Sequence, residues 1–327
     1  MQSIRLSRRK TMAGAGALAA AAALGLPAVP TAQAQAPASG QAPGFYRYKV
    51  GDITLTAIND GFGKRPLEGF VRNAELSDVK KAMAEAFLPQ DALNITFTTL
   101  AIQQGGKLTL IDTGNGDSGA PTSGTWMANF RAAGFDPKDV STVIFSHFHG
   151  DHINGFRLKN GAAVFPNAEA MVPSAEWAFW MDDAKMNAAP EAMKGAFAGV
   201  RRVFGPVAKD VKQFEPGKEI LPGITPIAAP GHTPGHTVFA LSSGDSRMMI
   251  MSDTTNHPAL FVRNPDWSAV FDMDGPQAAA TRRKLLDMVS ADRMQVAFYH
   301  APFPATGFIA KDGNGFEMVP VQWSPAI

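Results

Sequence analysis

Apolar and polar positions alternate along Val50–Ile58, which predicts a strand that ends at Asn59-Asp60-Gly61. Two more apolar runs, Ile95–Ile102 and Lys107–Ile111, flank Gly105-Gly106 and read as a hairpin. Helical spacing marks Ser77–Ala86, with Ser77 as N-cap, and Thr125–Ala133, with Gly134 placed to stop it. Val143-Ile144-Phe145 is apolar at every position, the pattern of a strand buried on both faces. Ala163–Phe165 and Ala170–Val172 are short strand candidates. Ser174 caps a helix through about Met181, and Pro190–Phe204 is a second one. Strands at Ile224–Ala228, Thr237–Leu241 and Met248–Met251 precede a helix over Gly275–Ser290. Val296–Tyr299 is a last buried strand, with a short hairpin after it through Val321. The charged stretch Lys209–Glu219 reads as a solvated face.

Strands therefore come in consecutive runs in each half, interrupted by helices. That order predicts an α+β fold, a mixed-sheet sandwich with helices outside, rather than one doubly wound parallel sheet.

The chain has 327 residues, 45% of them apolar, enough to bury a proper core. Net charge is +1, but Arg5, Arg8, Arg9 and Lys10 all lie in the first ten positions. The remainder is slightly acidic and does not attract nucleic acid by bulk charge. There is no cysteine, so disulfides, thiolate ligands and a cysteine nucleophile are excluded.

The basic start is followed by an apolar, Ala-rich run from Met12 to Leu26 and by Ala32-Gln33-Ala34, a small-x-small cleavage site. The run is short for a membrane span. Residues 1–34 are expected to be an export signal of twin-arginine type (Ser7-Arg8-Arg9-Lys10), which places the mature chain in the periplasm with no membrane span after cleavage. Residues 35–48 read as a leader, and 49–327 as a single domain.

The densest chemistry is Ser146-His147-Phe148-His149-Gly150-Asp151-His152, three histidines and one carboxylate in an H-x-H-x-D-H pattern after an apolar strand. Each of these side chains can ligate a transition metal. Four more places share the grammar of an apolar strand, a polar ligand type and then a turn. They are Asp112-Thr113-Gly114, Pro230-Gly231-His232, Ser252-Asp253-Thr254 and Tyr299-His300-Ala301.

This ordered set resembles the metallo-β-lactamase superfamily, over about Asp52 to His300, and implies its four-layer αββα sandwich. By that resemblance His147, His149 and His232 would bind one metal, Asp151, His152 and His300 a second, and Asp253 would bridge the two. Asp112 would hold the metal loop by hydrogen bonds without touching a metal. His236 is expected to be a supporting group, and His257 to face either the pocket or the surface. Imidazole and carboxylate donors without thiolate suit two divalent ions, zinc first, with Mn, Fe or Co as alternatives. A bridging aspartate without a cysteine ligand points away from true β-lactamases.

Gly44-Phe45-Tyr46-Arg47, Phe165-Pro166-Asn167-Ala168, Gly231–Thr237 and His300-Ala301-Pro302-Phe303-Pro304 are similar to the methyl parathion hydrolase and lactonase group. Members of that group are often dimers, so a homodimer is an expectation. Trp180 and Phe197 match positions of its aromatic substrate pocket. The loop Asn115–Ala120 lacks the aromatic that the pattern places there, which favours a lactone or ester over an aryl phosphotriester. The expectation is a dinuclear hydrolase in which a hydroxide shared by the metals attacks the substrate, with Asp151 and Asp253 as the catalytic carboxylates. A glyoxalase II-like thioesterase, a metallo-β-lactamase and a metal-binding protein without turnover are the alternatives.

Overall fold

A computed structural model describes residues 41–327. The expected export signal and most of the segment read as leader lie outside the described residues. The chain runs β1 (Phe45–Val50), β2 (Ile53–Pro66), α1 (Leu76–Glu85), β3 (Ala92–Gln104), β4 (Lys107–Ile111), α2 (Trp126–Ala132), β5 (Val140–Ile144) and α3 (Gly150–Ile153). It continues through β6 (Glu169–Pro173), α4 (Ser174–Trp180), α5 (Asp183–Ala188), α6 (Glu191–Phe204), β7 (Lys212–Phe214), β8 (Ile224–Ala228), β9 (Thr237–Ser243) and β10 (Ser246–Ser252). It ends with α7 (Pro258–Phe261), α8 (Gly275–Ala291), β11 (Gln295–Phe298), β12 (Thr306–Asp312) and β13 (Gly315–Pro320).

Strands β1 to β7 form one mixed sheet in sequence order, and β13-β12-β11-β10-β9-β8 form the other. The period of two along each strand builds the layers. Met248 and Ile250 join Leu55, Ile102, Ile144 and Phe239 in the core between the sheets. Met249 and Met251, their alternates on β10, pack under α8 with Leu285, Leu286 and Val289. On the far side, Leu108, Leu110 and Val143 meet Phe130 of α2 and Val200, Val203 and Phe204 of α6. The layers are thus helix, sheet, sheet, helix, as the element order and the resemblance imply. Each large side chain so buried contributes roughly 1.5–3 kcal/mol.

Local expectations fare unevenly. The Gly105-Gly106 hairpin forms with Gln104 opposite Lys107, both glycines having positive φ, the mark of a tight two-residue turn. Asn59-Asp60-Gly61 does not end its strand. The β2–β3 register shifts between Asn59 and Phe62, so the triplet is a bulge and β2 runs on to Pro66. Gly61 (φ 84°) is required there, because a Cβ would meet Thr122 O at 2.1 Å. Ser77 lies inside α1, whose N-cap is Glu75, and the Ser174 hydroxyl donates to Phe214 O rather than capping α4. Ala163–Phe165 is no strand, only a bridge from Ala163 to Arg157. Lys212–Phe214, within the stretch read as solvated, is the edge strand β7, with Phe214 turned into the core. Strand β1 begins at Phe45, inside the segment read as leader.

Candidate metal centre

Parallel pairing brings the site together. Strands β4 and β5 run parallel, so their C-terminal ends place Asp112 and Ser146 side by side. Strands β10 and β11 are also parallel, which sets Asp253 beside Tyr299-His300. Strand β8 is antiparallel to β9, and β9 to β10, so β8 delivers the His232 loop to the same edge. Thr237 N–H donates to Ser146 O at 3.0 Å and ties the two sheets' loops together. Two corners there are left-handed at non-glycine residues, Asp112 (φ 61°) and Ser252 (φ 44°). Such strain costs roughly 1–3 kcal/mol per residue and persists only where surrounding contacts impose it.

The H-x-H-x-D-H loop, His232, Asp253 and His300 converge on one spot. His147, His149, His232 and Asp253 form one group able to hold a metal, and Asp151, His152 and His300 form another. His149 Nδ1 lies 3.1 Å from His147 Nε2 and 2.9 Å from His232 Nε2. Asp253 lies between the groups. Its Oδ2 is 3.2 Å from His232 Nε2 and 2.9 Å from His300 Nε2, and its Oδ1 is 3.2 Å from His152 Nε2. Asp151 Oδ2 is 3.7 Å from His152 Nε2 and 3.6 Å from His300 Nε2.

The donor set fits two divalent ions. Asp253 Oδ1 and His152 Nε2 are buried and face each other without making a hydrogen bond, an arrangement that calls for a shared cation. Burial, with the neighbouring histidines, pushes His147 and His149 well below the usual imidazole range. They are therefore neutral and offer lone pairs, the form a metal requires. Burial also pushes His232 down, but hydrogen bonds to Asp253 and Asp272 outweigh it and raise the imidazole to about 9. Burial likewise opposes ionisation of Asp253, yet His152 and His300 hold its carboxyl well below the usual range.

The outward-facing ring nitrogens of His152, His232 and His300 are occupied, which fixes those imidazoles. Asp112 accepts from Ser146 N–H at 2.9 Å and from the Ser146 hydroxyl at 2.7 Å, and its Oδ2 is 2.8 Å from His152 Nδ1. His232 Nδ1 is 2.9 Å from Asp272 Oδ1, and His300 Nδ1 donates to Thr96 O at 2.9 Å. His236 Nδ1 donates to Ala229 O at 3.0 Å, leaving Nε2 to accept from Asp253 N–H at 3.1 Å. Burial pushes His236 down to about 3, so it stays neutral. The Tyr299 hydroxyl donates to Asp151 O at 2.6 Å, and its ring lies over His152. His257 caps α7 by accepting from Ala259 N–H, and it is buried there.

Sequence reading missed three acids. Asp60, in the β2 bulge, accepts from the Asn115 N–H and amide and from Trp126 N–H, and so shapes the loop after Asp112. Asp272 joins His232 to the buried guanidinium of Arg282 at 3.3 Å. Glu176, wholly buried on α4, accepts from the Thr233 hydroxyl beneath the His232 loop. None sits in a recognisable local motif, so only long-range contacts reveal them.

Above the cluster opens a cavity of about 550 Å³. His149, Asp151, His232, Asp253 and His300 form its floor, with walls from Ile95, Phe97, Phe271, Asn115 and Ser118. Trp180 and Phe197, expected in the substrate pocket, are not in this wall. They pack against each other, tilted, with ring centroids 4.7 Å apart in the core under the first sheet, 1% and 0% exposed. The apolar faces of α4 and α6 turn them inward. Phe97 and Phe271, from β3 and the loop before α8, supply the aromatic wall.

A two-sheet αββα sandwich with a histidine- and carboxylate-lined site for two divalent metals at one edge defines a class of dimetal proteins. Residues 96–300 match the Metallo-beta-lactamase superfamily, and the chain belongs to it. It is 26% identical over 170 residues to an N-acyl homoserine lactonase of a Bacillus species, a match covering 52% of this chain and 59% of that protein. It is 22% identical over 234 residues to the N-acyl homoserine lactonase of Bacillus thuringiensis, covering 66% and 85%. Among solved structures it is similar to AidC, a dizinc quorum-quenching lactonase in complex with a product, at TM-score 0.82 and 27% identity. That likeness covers 86% of this chain and 98% of AidC. The hydrolase AbOPH shares the fold at TM-score 0.83 and 24% identity, over 87% of this chain and all of AbOPH.

Proposed function

We propose that this chain is a dinuclear metal-dependent hydrolase of lactones and related esters. The observation that carries the reading is Asp253, a buried carboxylate set between two histidine groups on the floor of an open cavity. The likeness to AidC supports the lactone as substrate class. His147, His149 and His232 would hold one ion, Asp151, His152 and His300 the other, and Asp253 both. Zinc is the ion proposed, since the donors are imidazole and carboxylate and AidC is a dizinc enzyme.

Two bound divalent ions supply a Lewis acid for the substrate oxygen and acidify a water for attack. The protein's own part is positioning. Asp112, Asp272 and Thr96 fix the ring planes of His152, His232 and His300. Phe97, Ile95 and Phe271 offer an apolar wall for an acyl or alkyl part. Tyr299 spends its hydroxyl on Asp151 O, so the chain brings no tyrosine to the developing oxyanion and leaves that charge to the ions. Asp151, partly exposed at the cavity floor, is the carboxylate placed to take up the proton that the reaction releases. Export to the periplasm through a signal of residues 1–34 and assembly as a homodimer belong to the same reading; the sequence of residues 1–34 supports the first and the group resemblance the second.

The test is metal analysis of the purified protein beside a panel of γ-lactones, aryl esters, a thioester, nitrocefin and paraoxon. The reading expects about two metals per chain and turnover of lactone and ester that disappears with a chelator. Metal-free protein that still hydrolyses them, or metal-loaded protein that hydrolyses only nitrocefin or the thioester, refutes it.

A further inference from the structure

The charged side chains around the cavity do not balance once the floor is set aside. They are Lys64, Arg65, Asp151 and Asp253, and both aspartates belong to the metal groups. The ion pairs of lysine and arginine among the described residues use neither Lys64 nor Arg65. Two divalent ions bound to the floor would make the cavity net positive.

Arg65 is also held in an informative way. Its guanidinium lies over the ring of Phe271, 5.5 Å from the centroid, in place of a carboxylate partner. Phe271 is itself anchored edge-on against the buried Phe70 at 5.9 Å. A guanidinium held near an aromatic ring and paired with no carboxylate has N–H groups available to a ligand, and its fork matches a carboxylate in bidentate geometry. The platform is tied to the reaction centre as well, because the residue after Phe271 is Asp272, which holds His232. Across the cavity Phe97 packs edge-on against His300 at 5.6 Å. Gly63, on the same strand as Arg65, leaves room for Phe97, since a Cβ there would stand 3.3 Å from its ring. The cavity thus has a floor of candidate metal ligands, an aromatic middle and a cationic lip.

We infer that the cavity selects esters or lactones carrying a carboxylate remote from the scissile bond, with Arg65 as the residue that recognises it. The inference rests on the hydrolase reading and names a substrate class within it. An apolar spacer crosses the Phe97–Phe271 wall, and the distant carboxylate meets the Arg65 edge while the ester lies on the floor. Lys64 adds to the field at the lip.

The test uses metal-loaded protein and two matched esters, mono-4-nitrophenyl glutarate and neutral 4-nitrophenyl pentanoate. The expected result is a kcat/KM at least about tenfold higher for the glutarate, carried mainly by KM. Arg65→Met lowers the glutarate-to-pentanoate ratio about tenfold, Arg65→Lys lowers it less, and added salt shrinks it. Binding of the uncleaved glutaric monoanilide, compared with pentananilide, gives a readout independent of turnover. Its dependence on Arg65 separates recognition at the lip from a carboxylate landing on the metals. Equal kcat/KM for the two esters, or a binding preference untouched by Arg65→Met, overturns the inference. Arg65-dependent binding with neither ester hydrolysed overturns the hydrolase reading and leaves the anion site standing.

Discussion

His236 accepts a hydrogen bond from the backbone N–H of Asp253 at 3.1 Å, so a neutral imidazole outside the metal groups sets the height of the carboxylate between them. Its other nitrogen is committed to Ala229 O, which fixes the tautomer. His236→Ala leaves the buried Asp253 N–H without an acceptor, at a cost of about 1–3 kcal/mol. Metal affinity should fall about 10- to 100-fold, the usual penalty for losing an orienting group around a metal site. Competition with a chromophoric chelator measures it. Unchanged affinity would mean that the Asp253 backbone finds another partner.

Asp272 connects His232 to Arg282, and all three are buried. Arg282 also donates to Thr254 O and Pro265 O, which tie α8 to the loop after Asp253. Asp272→Ala removes the carboxylate partner of a buried guanidinium, a loss of about 3–5 kcal/mol. Asp272→Asn retains the shape and should lose less. Urea unfolding of the two variants tests this ordering. The reverse order, with Asp272→Asn the less stable variant, would show that the retained shape does not support the relay.

Asp272 shows where sequence reading stops. The His147–His152 loop is legible because its ligand types are adjacent in the chain, and Asp112, Asp253 and His300 because each follows an apolar strand. The αββα layering follows from buried strands such as Met248–Met251, whose alternating residues feed two different cores. Asp272, Asp60 and Glu176 carry no such signature. Each acquires its partner from an element far away in sequence, so its local context is that of any surface acid. Trp180 and Phe197 fail differently. They lie on helices with an apolar face, and only the packing of α4 against α6 decides that this face is core rather than cavity.

That difference gives a paired experiment. Trp180→Ala removes a wholly buried indole and should cost about 3–5 kcal/mol of stability. The folded fraction should keep the KM of the parent. Phe97→Ala, at the cavity wall, should raise KM several-fold with a smaller loss of stability. Unfolding curves and steady-state kinetics on the same preparations decide it. A raised KM for Trp180→Ala would return that residue to the pocket.

Glu176 predicts a pH signature. Burial pushes its carboxyl up from 4.5 to about 8, with Trp180, His232 and the Gly235 N–H pulling the other way. The folded protein therefore binds this proton more tightly than the unfolded chain does. Its contribution is fully present below pH 4.5 and is lost as pH rises through about 8. The loss is on the order of 5 kcal/mol. Glu176→Gln keeps an acceptor for the Thr233 hydroxyl and cannot ionise. Relative to the parent, this variant should gain stability steadily between pH 4.5 and 8, and the difference should be flat below that window. A difference independent of pH would show Glu176 charged or solvated in the folded state.

Metal removal should be felt in both protonation and stability. Without ions, His232 is raised to about 9 and His152 well above its ordinary value, because Asp253 and their other carboxylate neighbours outweigh burial. Both imidazoles are then protonated at neutral pH, and a metal must displace those protons to reach Nε2. Binding is therefore expected to release protons and to tighten as pH rises from 6 toward 9. Calorimetry of zinc binding in buffers of different ionisation enthalpy counts the protons released. The same ions bind only the folded site, so saturating zinc should raise Tm by several degrees over chelator-treated protein. His300→Ala, which removes one donor of the second group, should lower the number of ions bound before it affects the first group. Zinc binding with no proton release, or a Tm indifferent to chelator, would show that the cluster around Asp253 is not a metal centre.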